Sequence, residues 1–378
     1  MEKYLPALPA ALQDRLETPC IVIDKAQTER NIARMQSAVK SAGCALRPHI
    51  KTHKIGRFAR MQMQAGAEGI TCAKVSEAEV MADAGAGDIF IAYPLIGAFR
   101  LRRAVSLSKK VKRLILGVDS IAGAQAMNTA AADAGVTFEV RLEIDTGAKR
   151  TGIAFEDALE TARYISGCKQ LNLTGIYTFK SLMYQGNSTT DAESAGTEEA
   201  ALIAEAARKL RDAGIPIADI SAGSTPTGLH AAKTGLVTEV RPGTYIFNDY
   251  MLYKEGAAEL ADIAGFFYVT VVSVPRKDYA VIDGGTKTFP MDIFLNAPPY
   301  HYPSYAIVDG RDDLLLTRLN EEHGMITSLN GETGLKTGQI LRLVPIHICT
   351  AINLQNQIYL FNGENLETLK VEARGMLA

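Results

Sequence analysis

The chain has no CxxC pair, no run of basic residues and no apolar stretch long enough to cross a bilayer. Each absence removes a class of function. Its five cysteines (Cys20, Cys44, Cys72, Cys168 and Cys349) are odd in number and widely spaced. That pattern reads as reduced thiols in a cytoplasmic protein rather than as a disulfide framework. Lys plus Arg number 40 against 42 Asp plus Glu, for a net charge of −2 over 378 residues. A near-neutral chain without a basic patch offers little to a nucleic-acid backbone. A spanning helix needs ~20 apolar residues in a row, so no membrane partner is expected either. The opening segment, MEKYLPALPAALQDRLE, carries acids early and lacks an apolar signal core, which argues against secretion. No GxGxxG follows the first strand-like run, which weakens a dinucleotide-binding reading. Internal repeats and low-complexity stretches are absent too.

What is present is an alternation. From residue 20 to about 250, short β-branched runs alternate with Ala-rich amphipathic runs. CIVID (20–24), ALRPHIK (45–51), GITCA (69–73), DIFIAY (88–93), RLILGVD (113–119), TFEVRLEID (137–145), LTGIYT (173–178) and ADISAGS (218–224) read as strands, with TEVRP (238–242) as a further candidate. Between them, Ile32, Met35 and Val39 recur at helical spacing, Ser76 and Glu79 form a capping-box pattern, and residues 196–214 are rich in helix formers and end at Gly214. About eight βα units over ~230 residues fit an α/β fold of the (β/α)8 TIM-barrel type, with a doubly wound open sheet as the runner-up. After residue 250 the pattern changes to strands separated by turns: FFYVTVVSV, YAVID, YAIV, DLLLTRL, QILRLVP and QIYLF. The expected organisation is a barrel over residues 18–250 and a C-terminal antiparallel β domain over 251–378, joined by residues 1–17.

Catalytic groups of a barrel gather at the C-terminal ends of its strands. Those ends carry Lys51, the Asp145–Gly152 segment, Tyr177 and Lys180, and the Ser221–Thr227 and Arg241–Tyr245 segments. The last two are Gly- and hydroxyl-rich, as backbone N–H groups approaching a phosphate require. A strand-end lysine that is desolvated can lose its proton, as a Schiff-base lysine must. An amine facing a phosphate cradle suits pyridoxal phosphate (PLP). In the β domain, His347 and Cys349 would share one face of a strand, which gives half of a zinc-type site. The Asn320–Gly324 segment holds acids and His323, which could complete or brace it.

These segments also carry a resemblance. RPHIKTHK (47–54), DTGAKRTG (145–152), SAGSTPTG (221–228), RPGTYIFND (241–249), DGGTKTFPMD (283–292), EEHG (321–324) and PIHICTAINL (345–354) occur in this order. Together they resemble the D-serine dehydratase/D-threonine aldolase family, the metal-dependent PLP enzymes with an alanine-racemase-like barrel. The resemblance spans about residue 18 to 360 and implies a homodimer of barrel-plus-β-domain subunits acting on a small D-amino acid. Lys51 matches the lysine that holds PLP and takes the Cα proton. Arg150 matches the arginine facing the PLP phenolate. Tyr177, Ser224, Thr225, Gly243, Thr244 and Tyr245 fall in the cofactor-binding segments, and His347 and Cys349 match the metal ligands. Asp292 and His323 lie in shared segments. The implied reaction is β-elimination of a D-3-hydroxy amino acid to a 2-oxo acid and ammonia. The alternative is retro-aldol cleavage of D-threonine or D-3-hydroxyaspartate to glycine and an aldehyde, and racemization ranks third. Two features favour elimination. The ligand pair reads His-x-Cys, where the aldolases more typically read His-x-Asp, and a thiolate favours Zn²⁺ over Mn²⁺ or Mg²⁺. The loop TFKSLMYQG (178–186) also lacks the histidine that the aldolases carry there. Lys180 or Tyr184 could substitute as base, and Lys180 could pair with a substrate β-carboxylate.

Overall fold

The computed structural model describes residues 4–378. They fall into two compact units. One holds the chain through Ile32, Thr52–Lys54 and Thr244–Arg374; the other holds Ala33–Lys51, Ile55–Gly243 and Gly375–Ala378.

The second unit is the expected barrel. Eight parallel strands run in the order Ala45–Leu46, Glu239–Val240, Asp219–Ala222, Leu171–Tyr177, Phe138–Glu143, Arg113–Val118, Asp88–Pro94 and Ile70–Cys72. A parallel bridge between His49 and Thr71, with the Thr71 N–H donating to Pro48 O at 2.8 Å, closes the ring. The strands are largely buried on both faces, because helices cover them outside and side chains fill the ring inside. The Ala192–Asp212 helix shows the covering logic. Asp191 caps it by accepting from Ser194 N–H, its inner stripe of Ala195, Ile203, Ala207 and Leu210 is buried, and Gly214 ends it at a φ of +82°.

Much of the barrel interior is charged. Arg47 and Arg141 are both buried, and both donate to Glu239, with Asp88 and Asp219 as further partners. Burial alone would raise the Glu239 pKa, but Arg141 and Arg47 outweigh it and hold the carboxyl far below the usual range.

The first unit is built on a nine-stranded sheet. Its Tyr279–Ile282 strand pairs with both Gly324–Ser328 and Gly265–Arg276, so six antiparallel strands form a closed ring. Leu8 and Leu12 pack in a core cluster with Val22, Phe266, Tyr268 and Val344.

Two expectations about local structure are corrected. Cys20–Asp24, expected as the first barrel strand, lies in the nine-stranded sheet, antiparallel to Gly265–Arg276 and parallel to Gln357–Phe361. It is apolar on both faces and precedes a helix, as a barrel strand would be, so its sequence pattern does not separate the two sheets. The helix expected to be capped by Ser76 begins at Val75. Its first turn is instead tied by Glu77, whose carboxylate accepts from Ala73 N–H at 2.6 Å, while Glu79 is paired with Arg103. Among the described residues no helix is long and apolar enough to cross a membrane.

Candidate functional site

Within the barrel unit, the predicted residues gather at the strand ends. Lys51 follows the Ala45–Leu46 strand in a 3-10 turn, Ile50–Thr52, and its backbone N–H donates to His49 Nδ1 at 3.3 Å. The side chain is exposed, so the expectation of a desolvated lysine is not met; the strand ends early and the turn carries Lys51 out past it. Arg150 is presented by a turn that Asp145 folds. One oxygen of its carboxylate accepts from Gly147 N–H at 2.8 Å and Lys149 N–H at 3.1 Å. Gly152 closes the same turn at a φ of +102°, where a Cβ would stand 2.7 Å from Asp145 N.

Phe179 joins the two cations. Its ring centroid lies 5.7 Å from Lys51 Nζ and 4.5 Å from Arg150 Cζ. Both distances fall within cation–π range. Sequence reasoning passed over this residue; its position directly before Lys180 was the available signal.

The Gly- and hydroxyl-rich segments form a small, tightly bonded cradle. Ser224 N–H donates to Thr227 Oγ1 at 3.0 Å, and Gly228 N–H to Ser224 O at 2.8 Å. Gly243 N–H donates to Thr225 Oγ1 at 3.2 Å, which ties the two segments together. At Gly223, with a φ of +80°, a Cβ would meet Gly228 Cα at 2.5 Å. A cradle this close to its backbone suits a phosphate.

Tyr177 is buried inside the barrel with its ring edge-on to Phe90, and its hydroxyl donates to Glu143 Oε2 at 2.9 Å. Lys180 is buried too. Its ammonium is paired with Glu198, and its N–H donates to Glu199 Oε1 at 2.8 Å. Burial lowers the Lys180 pKa. The pairing takes Lys180 away from the free cationic role considered for it, because Glu198 already supplies the opposite charge. Tyr184 is exposed on a two-stranded hairpin, where its hydroxyl accepts from Gln185 Nε2 at 3.3 Å.

The other unit brings His347 and Cys349 together, though not as residues of a strand. The Ile340–Pro345 strand stops short of them, His347 is the N-cap of the Ile348–Leu354 helix, and Cys349 lies in that helix's first turn. The two side chains are near enough for each to shift the other's pKa. His347 Nδ1 and Asp292 Oδ2 are 2.5 Å apart. Cys349 Sγ lies 3.1 Å from Thr52 Oγ1 and 3.2 Å from Thr244 Oγ1. Burial would depress the His347 pKa, but Cys349 and Asp292 outweigh it and hold it up. Burial would raise the Cys349 pKa, but the facing imidazole outweighs it and draws it down. A sulfur held toward thiolate beside an imidazole is a donor pair for a borderline-soft metal ion.

Tyr245 is buried in the Thr244–Ile246 turn. His323 is exposed between the Leu314–Leu319 and Gly324–Ser328 strands, and its backbone carbonyl accepts from Asn320 N–H. Glu322 beside it pairs with Lys287. No cluster of three His, Cys, Asp or Glu side chains suited to a metal occurs among the described residues.

Comparison with known proteins places the chain in a family. Residues 23–251 match the model of the alanine racemase N-terminal domain, and residues 264–361 that of a serine dehydratase domain. The D-threo-3-hydroxyaspartate dehydratase of Delftia sp. (strain HT23) is 34% identical over 88% of this chain and 91% of its own length. Its solved structure superposes with a TM-score of 0.87 at 32% identity, covering 95% of this chain and 98% of that one. It has also been solved as a cysteine-to-alanine variant in a metal-free form. The D-threonine aldolase of Arthrobacter sp. is 30% identical over 98% of this chain and 96% of its own length. The crystal structure of the D-threonine aldolase from Filomicrobium marinum gives a TM-score of 0.87 at 26% identity, over 97% of this chain and 98% of that one.

Proposed function

The chain belongs to the family that joins an alanine racemase N-terminal domain to a serine dehydratase domain, and from that premise we propose that it is a metal-assisted dehydratase of D-3-hydroxy amino acids. At the coarser level it is a PLP-dependent lyase, in a family that contains both dehydratases and aldolases.

The residues present fit both groups. Lys51 and Arg150 offer an amine and a guanidinium, and the hydroxyl-rich Gly223–Thr225 segment is tied to Gly243, with Gly223 packed too close to Gly228 for a Cβ. In this reading Lys51 holds PLP covalently, Arg150 faces its phenolate oxygen, and Ser224, Thr225, Gly243 and the Thr244–Tyr245 turn hold its phosphate. Tyr177 lines the barrel beneath, its hydroxyl kept by Glu143. His347 and Cys349 hold the metal, and the thiolate favours Zn²⁺. When bound at these residues, PLP would supply an electron sink for the substrate Cα and the metal a Lewis acid for the β-hydroxyl. Displaced from the cofactor by the substrate amine, the freed Lys51 Nζ would take the Cα proton from one face. The negative charge left behind expels the β-substituent, and the product hydrolyses to a 2-oxo acid and ammonia.

The observation that carries elimination over retro-aldol cleavage is the burial of Lys180 against Glu198. Retro-aldol cleavage needs a base to take the β-hydroxyl proton, whereas elimination does not. Tyr184, the other candidate, sits exposed on its hairpin. The homodimer expected of the family and a cytoplasmic location belong to the same reading; sedimentation tests the first.

PLP reconstitution tests the cofactor half. A band near ~410–420 nm is expected for the wild-type protein and not for Lys51→Ala. Chelation should stop ammonia release while leaving that band in place, and Zn²⁺ should restore turnover. Full activity in chelator would overturn the metal role and favour a racemase-like reading.

A further inference from the structure

Asp292 lies on the segment between the Tyr279–Ile282 and Ala306–Val308 strands. Its chain neighbour Ile293 is buried in an apolar cluster with Tyr302 and Ile346, and Ile346 immediately precedes His347. That contact locks the segment alongside the His347 backbone. Both oxygens of the Asp292 carboxylate are then engaged. Oδ2 lies 2.5 Å from His347 Nδ1, and Oδ1 accepts from Thr350 Oγ1 at 3.2 Å.

A carboxylate has no proton to give, so Nδ1 is the donor in this contact. A ring that donates from Nδ1 keeps the lone pair of Nε2 free for a metal. With Nδ1 engaged by Asp292, Nε2 is the ring nitrogen left to meet a metal. The same helix start carries Cys349, the other donor of the pair.

We propose that Asp292 is the positioning residue of the metal site, holding the His347 ring in the tautomer and orientation that aim Nε2 at the ion shared with Cys349. This deepens the metal reading above and rests on it. Asp292 touches neither substrate nor PLP in this account; it acts through His347.

The test uses the full-length, PLP-loaded protein with Zn²⁺ as the probe, titrated in competition with a chromogenic chelator. Asp292→Asn is expected to weaken Zn²⁺ binding by ~10- to 100-fold, the usual cost of losing such an outer partner. The melting temperature of the metal-stripped protein should hardly change, and Asp292→Glu should recover part of the affinity. ¹⁵N-histidine spectra of the metal-stripped wild-type protein should show His347 Nδ1 protonated and hydrogen-bonded, a signature lost in Asp292→Asn. Unchanged Zn²⁺ affinity in Asp292→Asn, or a wild-type proton on Nε2 alone, would overturn the proposal. Should Asp292→Asn fail to fold, Asp292→Glu and the wild-type spectrum decide by themselves. A wild-type protein that binds Zn²⁺ no better than His347→Ala would instead overturn the metal reading, a pattern distinct from failure at Asp292 alone.

Discussion

Lys180 and Glu198 form a closed ion pair at the mouth of the barrel, with the lysine side chain almost wholly buried. They lie 18 residues apart in sequence, the lysine in the loop after the Leu171–Tyr177 strand and the glutamate on the Ala192–Asp212 helix. A buried pair of this kind costs more to break than an exposed one, because the partner left behind is an uncompensated charge.

That pairing makes a specificity prediction. If Lys180 were the receptor for a substrate β-carboxylate, Lys180→Met would penalise D-3-hydroxyaspartate selectively. The structure leads to the opposite expectation. Lys180→Met should lower stability and should change kcat/KM for D-serine and D-3-hydroxyaspartate by similar factors, so that their ratio moves less than about threefold, under ~1 kcal/mol. A selective loss on the dicarboxylic substrate, measured in steady-state assays, would contradict the pairing.

The charged barrel interior makes a pH prediction. The Glu239 pKa is far lower in the folded protein than in the unfolded chain. The stability it contributes is therefore fully present above the unfolded value of ~4.3 and is lost as pH falls below it toward the folded value. Glu239→Gln leaves Arg47 and Arg141 without their shared carboxylate. It should destabilise the protein at neutral pH by about 3–5 kcal/mol. It should also flatten the acid limb, so that the gap from wild type narrows as pH falls below ~4. Denaturant midpoints measured across that window check both parts.

The phosphate cradle makes a steric prediction. Gly223 has a positive φ, and Gly228 Cα stands where its Cβ would go. Gly223→Ala should cost about 1–3 kcal/mol in backbone strain. Because the adjustment falls on the Ser224–Thr225 amides, PLP affinity should drop at least ~10-fold, about 1.4 kcal/mol. Equilibrium PLP binding followed by absorbance measures this. Affinity equal to wild type would place the phosphate elsewhere.

The alternating strands and helices, the strand-end residues and the switch to turn-linked strands after residue 250 were all legible in the sequence, because local periodicity and turn chemistry report them directly. The turn from Asp145 to Gly152 was legible for the same reason: its bonds join residues two and four apart. What was illegible depends on distant partners. Cys20–Asp24 pairs with the Gly265–Arg276 and Gln357–Phe361 strands, both far along the chain. Thr52 reaches Cys349 across 297 residues, and no local pattern announces that contact. His347 and Cys349 converge through a helix start rather than a strand, so the pairing was legible while its geometry was not. The exposure of Lys51 follows from a strand that ends after two residues, a boundary that β-branched composition does not fix.

The central claim is that this lyase eliminates rather than cleaves. Product analysis tests it most directly. The PLP- and Zn²⁺-loaded protein would be incubated with D-serine, D-threonine and both D-3-hydroxyaspartates, and 2-oxo acid with ammonia would be assayed against glycine with aldehyde. The expected result is oxo acid and ammonia in equal amounts, with no glycine. Glycine as the main product would contradict the account and would mean that a base other than the buried Lys180 serves the β-hydroxyl.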